Sequence, residues 1–174
     1  MTTEVMDPPV HRMNPEVKAI WLEELPKHEQ GKEHLENANG RKCCMGVLAF
    51  RLAQEGVVER RTTWVPNEDY PEVVEQLDDV EYGEIRESQY LPLEVCEYAG
   101  LTENNPIVKV YWSDLTEEQR ENWRKRNSRG KKATFKTANG GVDAPDYILV
   151  TLAEMNDNYG MTFTQIGKII NREL

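Results

Sequence analysis

The chain has 174 residues, of which 39% are hydrophobic and 30% charged, and its formal net charge is −10. That length suits one domain with a real core, and the composition is that of a globular protein. No apolar run approaches the roughly 20 residues of a membrane span, and the acidic total opposes general attraction to nucleic acid or to anionic membrane.

Residues 1–13 are acidic and Pro-containing and lack an apolar signal-peptide core; they are expected to be a flexible N-terminus. A single globular domain is expected over 14–174. Asn14-Pro15-Glu16 starts a helix: Asn14 caps it, Pro15 has φ preset, and Glu16 suits the positive dipole end. Val17, Ile20, Trp21 and Leu25 share its apolar face, and Pro26 ends it. Residues 28–40 read as a polar loop. Cys43 to Glu55 is a densely apolar helix and the expected centre of the core. Val57 to Val65 is rich in β-branched and aromatic residues and reads as a strand. Asn67 to Gln89 is acidic and weakly patterned, with a short helix expected near Pro71 to Leu77.

Leu91-Pro92 opens a two-turn helix that Gly100 ends in a left-handed conformation. Ile107 to Trp112 is a second strand candidate, expected to pair with Val57 to Val65 in a small antiparallel sheet. Thr116-Glu117-Glu118-Gln119 matches a capping box and starts a polar helix to about Asn127. Pro145 to about Asn156 is expected to be a helix with Ile148, Leu149, Leu152 and Met155 inward. Thr162-Phe163-Thr164-Gln165 is a further capping box, followed by the apolar stripe Phe163, Ile166, Ile169 and Ile170. The fold class is therefore α+β and mainly helical, a helical core with a small antiparallel sheet.

Cys43-Cys44-Met45-Gly46-Val47-Leu48, Leu91-Pro92 to Ala99-Gly100-Leu101, Asn105-Pro106-Ile107-Val108, and Met155-Asn156-Asp157 with Thr162-Phe163 to Ile166 occur in that order. Together they resemble a family of small tailed-phage proteins, like those of actinobacteriophages. Relatives carry a further cysteine where Ala49 stands. The stretch from about 113 to 142 looks like an insertion. The resemblance implies a phage origin without implying an activity.

Cys43, Cys44 and Cys96 form no paired set, so reduced thiols in a cytoplasm are expected. No metal site is expected: adjacent cysteines do not have the spacing of paired zinc ligands, and His28 and His34 add no motif. No cofactor is implied either. Arg41 and Lys42 precede Cys43 near a helix start, which could lower a thiol pKa and makes a thiol enzyme on Cys43 or Cys44 an alternative. Arg120 to Lys136 holds eight Lys or Arg against one acid, a window of +7 that leaves −17 on the rest of the chain. Arg124, Arg126, Lys131 and Lys132 are its candidate binding residues, and Asn156 with Asp157 is a candidate polar site that also suits a plain turn. Leu152 to Ile170 resembles part of a helix-turn-helix, but its second helix offers almost no basic surface, so sequence-specific DNA is not an expected partner. The expected function is a non-enzymatic accessory protein that binds a host protein in the host cytoplasm and modulates growth or defence. The alternative is a binder of a nucleotide or another small phosphorylated molecule, with the basic insertion or Arg41-Lys42 near the anion and Cys43 among the candidate binding residues.

Overall fold

The structure, a computed structural model, describes residues 10–66, 74–128 and 146–174. Helix α1 spans Pro15–Glu24 and runs into a 3-10 turn at Leu25–Lys27; α2 spans Cys44–Gln54. Strands β1 (Arg60–Pro66) and β2 (Val74–Tyr82) follow, then α3 (Leu93–Ala99), β3 (Ile107–Tyr111), a 3-10 turn at Trp112–Asp114, and α4 (Glu117–Ser128). Strand β4 (Tyr147–Thr151) leads directly into α5 (Leu152–Asp157), and α6 (Phe163–Glu173) closes the chain. The α+β, mainly helical class is what the sequence indicates.

Helix α2 is the centre of the core. Cys44, Met45, Val47, Leu48, Ala49 and Leu52 are all buried, so the helix is covered on nearly every side. Trp21 of α1 is buried against it and donates its indole N–H to the carbonyl of Cys44 at 2.8 Å. The α6 stripe of Phe163, Ile166, Ile169 and Ile170 is buried where that helix meets α1, α5 and β3. Burial of each such side chain contributes about 1.5–3 kcal/mol. The caps are those the sequence specifies: Asn14 accepts from the Glu16 N–H at 3.0 Å, and Thr162 and Gln165 close a capping box. Gly100 ends α3 with φ of 71°, a conformation glycine adopts without steric cost.

Three expectations about strands are corrected. Val57 to Val65 and Ile107 to Trp112 do not share a sheet. β1 pairs antiparallel with β2, and β3 pairs antiparallel with β4, in two separate two-stranded sheets. The weakly patterned segment, with a short helix expected near Pro71 to Leu77, contributes strand β2 from Val74 onward; Pro71 itself lies outside the described residues. Its acidic residues, depleted in strands generally, hide the inward alternation of Val80 and Tyr82. The helix expected from Pro145 to Asn156 is instead strand β4 followed by α5. Ile148 and Val150 are buried on alternate positions, and Thr151 caps α5 in a box with Glu154. A run of Ile148, Leu149, Leu152 and Met155 satisfies a helical period by coincidence, while the Thr151-to-Glu154 spacing marks the true start.

The chain's start is anchored at Met13, which is buried and donates its N–H to the carbonyl of Leu174 at 3.0 Å. The neighbouring Asn14 N–H bonds to Ala99 O at 2.8 Å, so α1, α3 and the end of α6 are tied at one point. Residues 1–9 lie outside the described residues.

The tightest approach in the core is between Gly46 and the backbone of Leu35. A Cβ on Gly46 would stand 1.6 Å from the Leu35 carbonyl oxygen and 2.4 Å from its carbon. Both atoms are main chain, so no side-chain rotation relieves the clash. Gly46→Ala is expected to cost about 3 kcal/mol through displacement of α2 or of the loop. Urea unfolding measures it, and an unchanged midpoint would show that the segment around Leu35 is not held where the structure places it.

Candidate functional site

The Cys43-Cys44-Met45-Gly46 motif assembles a joint. Cys43 is the extended N-cap of α2, and its Sγ accepts from the Gly46 N–H at 3.4 Å. Its own N–H bonds to Leu35 O at 3.2 Å, the oxygen that Gly46 faces. The Cys44 Sγ points to Leu152 O at 3.7 Å. Burial pushes the Cys43 thiol up to about 12 and the Cys44 thiol well above its ordinary value, and the nearby Asp157 carboxylate adds to both. Cys96 is raised to about 11 by burial. All three thiols are therefore neutral at physiological pH, against the lowered pKa that a thiol nucleophile requires.

The Asn156-Asp157 pair forms a knot between α5 and the loop before α2. The Asn156 Nδ2 donates to Gly31 O at 2.8 Å and to Asp157 Oδ1 at 2.7 Å, while its Oδ1 accepts from Gln30 Nε2 at 3.0 Å. Gln30 also donates to Met161 O at 2.8 Å. Asp157 Oδ1 accepts the Glu33 N–H at 3.1 Å and so holds Glu33 at φ of 68°. Cys43 and Asp157 meet in a cleft of about 330 Å³ whose wall includes Glu33, His34, Gln89 and Tyr90. Of the expected binding set, this cleft brings together Cys43 and Asp157.

Lys42 points inward, away from any anion in solvent. Its ammonium lies 3.2 Å from Glu36 Oε1, bonds to Gly40 O at 2.9 Å and sits 4.1 Å from the centre of the Phe50 ring. Glu36 is itself buried; Arg60 grips both its oxygens at 2.9 Å, and the Tyr82 hydroxyl donates to it. Burial alone would raise the Glu36 carboxyl, but the bonds from Arg60 and Tyr82 and the charge of Lys42 outweigh it and hold the carboxyl below its ordinary range. Burial, Glu36 and its charge push the Tyr82 phenol far up. Sequence reading missed this cluster because Glu36 lies in a polar loop and Arg60 and Tyr82 on different strands. Arg41 is on the surface and pairs with Glu29 at 2.6 Å.

The basic helix α4 is packed through the buried Trp123, edge-on to Trp112 at 5.4 Å, and Leu115 is buried just before the helix. Arg124 pairs with Glu117 at 3.0 Å and Glu121 at 3.4 Å. Arg126 lies 5.9 Å from the centre of the Tyr159 ring. Lys131 and Lys132 lie outside the described residues. The described part of the basic stretch is therefore largely matched by local carboxylates and rings.

A second cleft, of about 410 Å³, opens where α4 and α6 begin, and its lining is polar. Its floor joins two capping boxes, Thr116 with Gln119 and Thr162 with Gln165. The two glutamine amides bond reciprocally, at 3.1 Å and 3.0 Å. Both boxes are legible in sequence; their meeting depends on tertiary packing.

Helix α3 exposes Leu93 (61%) and Tyr98 (50%), with Glu94 and Glu97 between them in the chain. The turn after β2 lies against it: Gly83 abuts Pro92 and Glu94, and the Glu84 N–H bonds to Glu94 Oε1 at 2.7 Å. That turn presents Ile85, 68% exposed. Among the described residues no three His, Cys, Asp or Glu side chains are grouped to hold a metal ion, and no helix is long and apolar enough to cross a membrane.

These features define an α+β domain whose motif residues are committed to packing and whose unspent polar and apolar groups lie on clefts and outer faces. The chain belongs to the family described as a domain of unknown function (DUF8296), which matches residues 13–174. No curated protein and no solved structure matches it.

Two measurements check the chemistry of these groups. Native protein at pH 8 is expected to react with iodoacetamide at all three cysteines far more slowly than unfolded protein; rapid labelling of Cys43 would overturn the neutral, buried thiol. Glu36→Ala leaves Lys42 buried beside Arg60 without its carboxylate and is expected to cost about 3 kcal/mol in urea unfolding. Because the native Glu36 carboxyl titrates below its ordinary range, its stabilisation is complete above that range and is lost as pH falls through the depressed value. Stability of the native chain should therefore fall more steeply on acidification than that of Glu36→Ala.

Proposed function

We propose that this protein is a non-enzymatic accessory factor that acts by binding another protein through the outer side of α3 and the adjoining turn. The observation that carries the reading is the exposure of three large apolar side chains, Leu93 and Tyr98 on α3 and Ile85 on the turn packed against it, with Glu84, Glu94 and Glu97 beside them in the chain. Exposed apolar side chains set among charges are the pattern of an association surface. Large apolar anchors supply affinity, while the carboxylates select a partner with a basic rim and speed its encounter. The motif resemblance to tailed-phage proteins supports a host protein as that partner, met in the host cytoplasm, with modulation of host growth or defence as the outcome. The raised thiol pKa values weigh against a thiol enzyme.

The test is affinity capture from a bacterial host lysate with the native chain and with the double variant Leu93→Asp, Tyr98→Asp. Both side chains are exposed, so the melting temperature should stay within about 2 °C of native. A host protein held by the native chain, weakened by added salt and reduced at least tenfold by the variant, is the expected result. A host protein held equally by both would overturn the assignment to α3.

A further inference from the structure

We propose that the polar cleft at the starts of α4 and α6 is a small-ligand site for a polyhydroxylated molecule bearing one anionic group, the chemistry shared by sugar phosphates and sugar acids. It lies apart from the α3 face and stands or falls separately from protein binding. Its volume of about 410 Å³ falls within the roughly 300–1,000 Å³ of small-molecule sites.

The floor is rigid and saturated. Gln119 Oε1 accepts from the Thr116 N–H at 2.9 Å and from Gln165 Nε2 at 3.0 Å; Gln165 Oε1 accepts from the Thr162 N–H at 3.0 Å and from Gln119 Nε2 at 3.1 Å. The remaining amide hydrogens go to Gly160 O at 3.5 Å and Asp114 O at 3.3 Å. Neither glutamine has hydrogen-bonding capacity left, so both shape the cleft and hold its walls.

The walls are different. Asn122 and Asn158 line the cleft, and neither carboxamide is hydrogen-bonded to a described residue. A carboxamide offers a donor and an acceptor in one plane, the complement of adjacent hydroxyls that each donate and accept. Tyr159 is half-buried beside them and gives an apolar ring on which the C–H face of a sugar can lie. Lys32 stands at the edge, exposed and without a carboxylate in ion-pair range among the described residues. The first turn of α6 carries no acid, so its partial positive charge adds to that of Lys32. Glu118 lines the same cleft and offsets part of the charge of Lys32, so the cleft has cationic character for one anionic group and not for di- or triphosphates.

The test is titration of the full chain with glucose 6-phosphate, glucuronate, glucose and inorganic phosphate, followed by NMR of the side-chain amide groups. Glucose 6-phosphate or glucuronate should move the Asn122 and Asn158 resonances, and which of the two binds more tightly identifies the anionic group. Asn122→Ala with Asn158→Ala should weaken that binding at least tenfold with the melting temperature unchanged. Lys32→Ala should remove the preference for the charged sugar over glucose. The proposal is overturned if no probe moves those resonances, if inorganic phosphate binds as tightly as glucose 6-phosphate, or if the double variant keeps its affinity.

Discussion

The contact between the first turn of α2 and the backbone of Leu35 is the constraint on which the rest of the structure depends. Gly46 admits the Leu35 carbonyl to a distance no side chain allows, and the Cys43 N–H bonds to that same oxygen. The loop preceding α2 is thereby locked to the central helix at one point. From there its direction is set. Glu36, the next residue, is turned inward toward Lys42, Arg60 and Tyr82, and its carbonyl accepts from the Val80 N–H at 3.3 Å. The β1–β2 ribbon is thus fastened to the body through a carboxylate in the loop.

The same loop is fastened again a few residues earlier. Gln30 and Gly31 bond to the buried Asn156 side chain, and Glu33 bonds to Asp157. A segment with almost no regular structure therefore connects the strand ribbon, the central helix and the turn between α5 and α6. Its polar composition is the reason. Buried backbone groups must find partners, and here side-chain amides and carboxylates supply what a helix or ladder supplies elsewhere. The cost is that each partner is indispensable: a buried charge left alone is far more destabilising than the pair is stabilising.

Legibility in the sequence followed the range of the interaction. Asn14, Gly100, Thr116 with Gln119, and Thr162 with Gln165 act within four residues, and the elements they start or end were readable to within a residue or two. Strand β2 was not readable, because its pairing with β1 overrides an acidic composition that disfavours strands. Strand β4 was misread because Ile148, Leu149 and Leu152 fit two periods at once, and only pairing with β3 decides between them. The candidate sites divide the same way. Cys43 and Asp157 do share a cleft, yet the Cys43 Sγ is spent on Gly46 and the Asp157 Oδ1 on Glu33 and Asn156. Lys42 was singled out for its charge, but a lysine is available to a ligand only if nothing nearby has claimed it, and Glu36 has no local signal.

The motifs singled out in the sequence are thus motifs of construction. The double cysteine provides a cap and two buried neutral thiols, Gly46 a close approach, Gly100 a helix stop, and Asn156 a bridge between segments. Each would be required by the fold whatever the protein bound, so a motif of this kind carries information about architecture and none about partners. Function has to be sought where the fold makes no demand: in Leu93 and Tyr98, which face outward on a helix whose inner side Val95 and Ala99 already bury, and in Asn122 and Asn158, whose amides the structure leaves to solvent. The side chains that keep the fold and those free to serve a partner are here almost disjoint sets, which is why variants at the second can test function without unfolding the first.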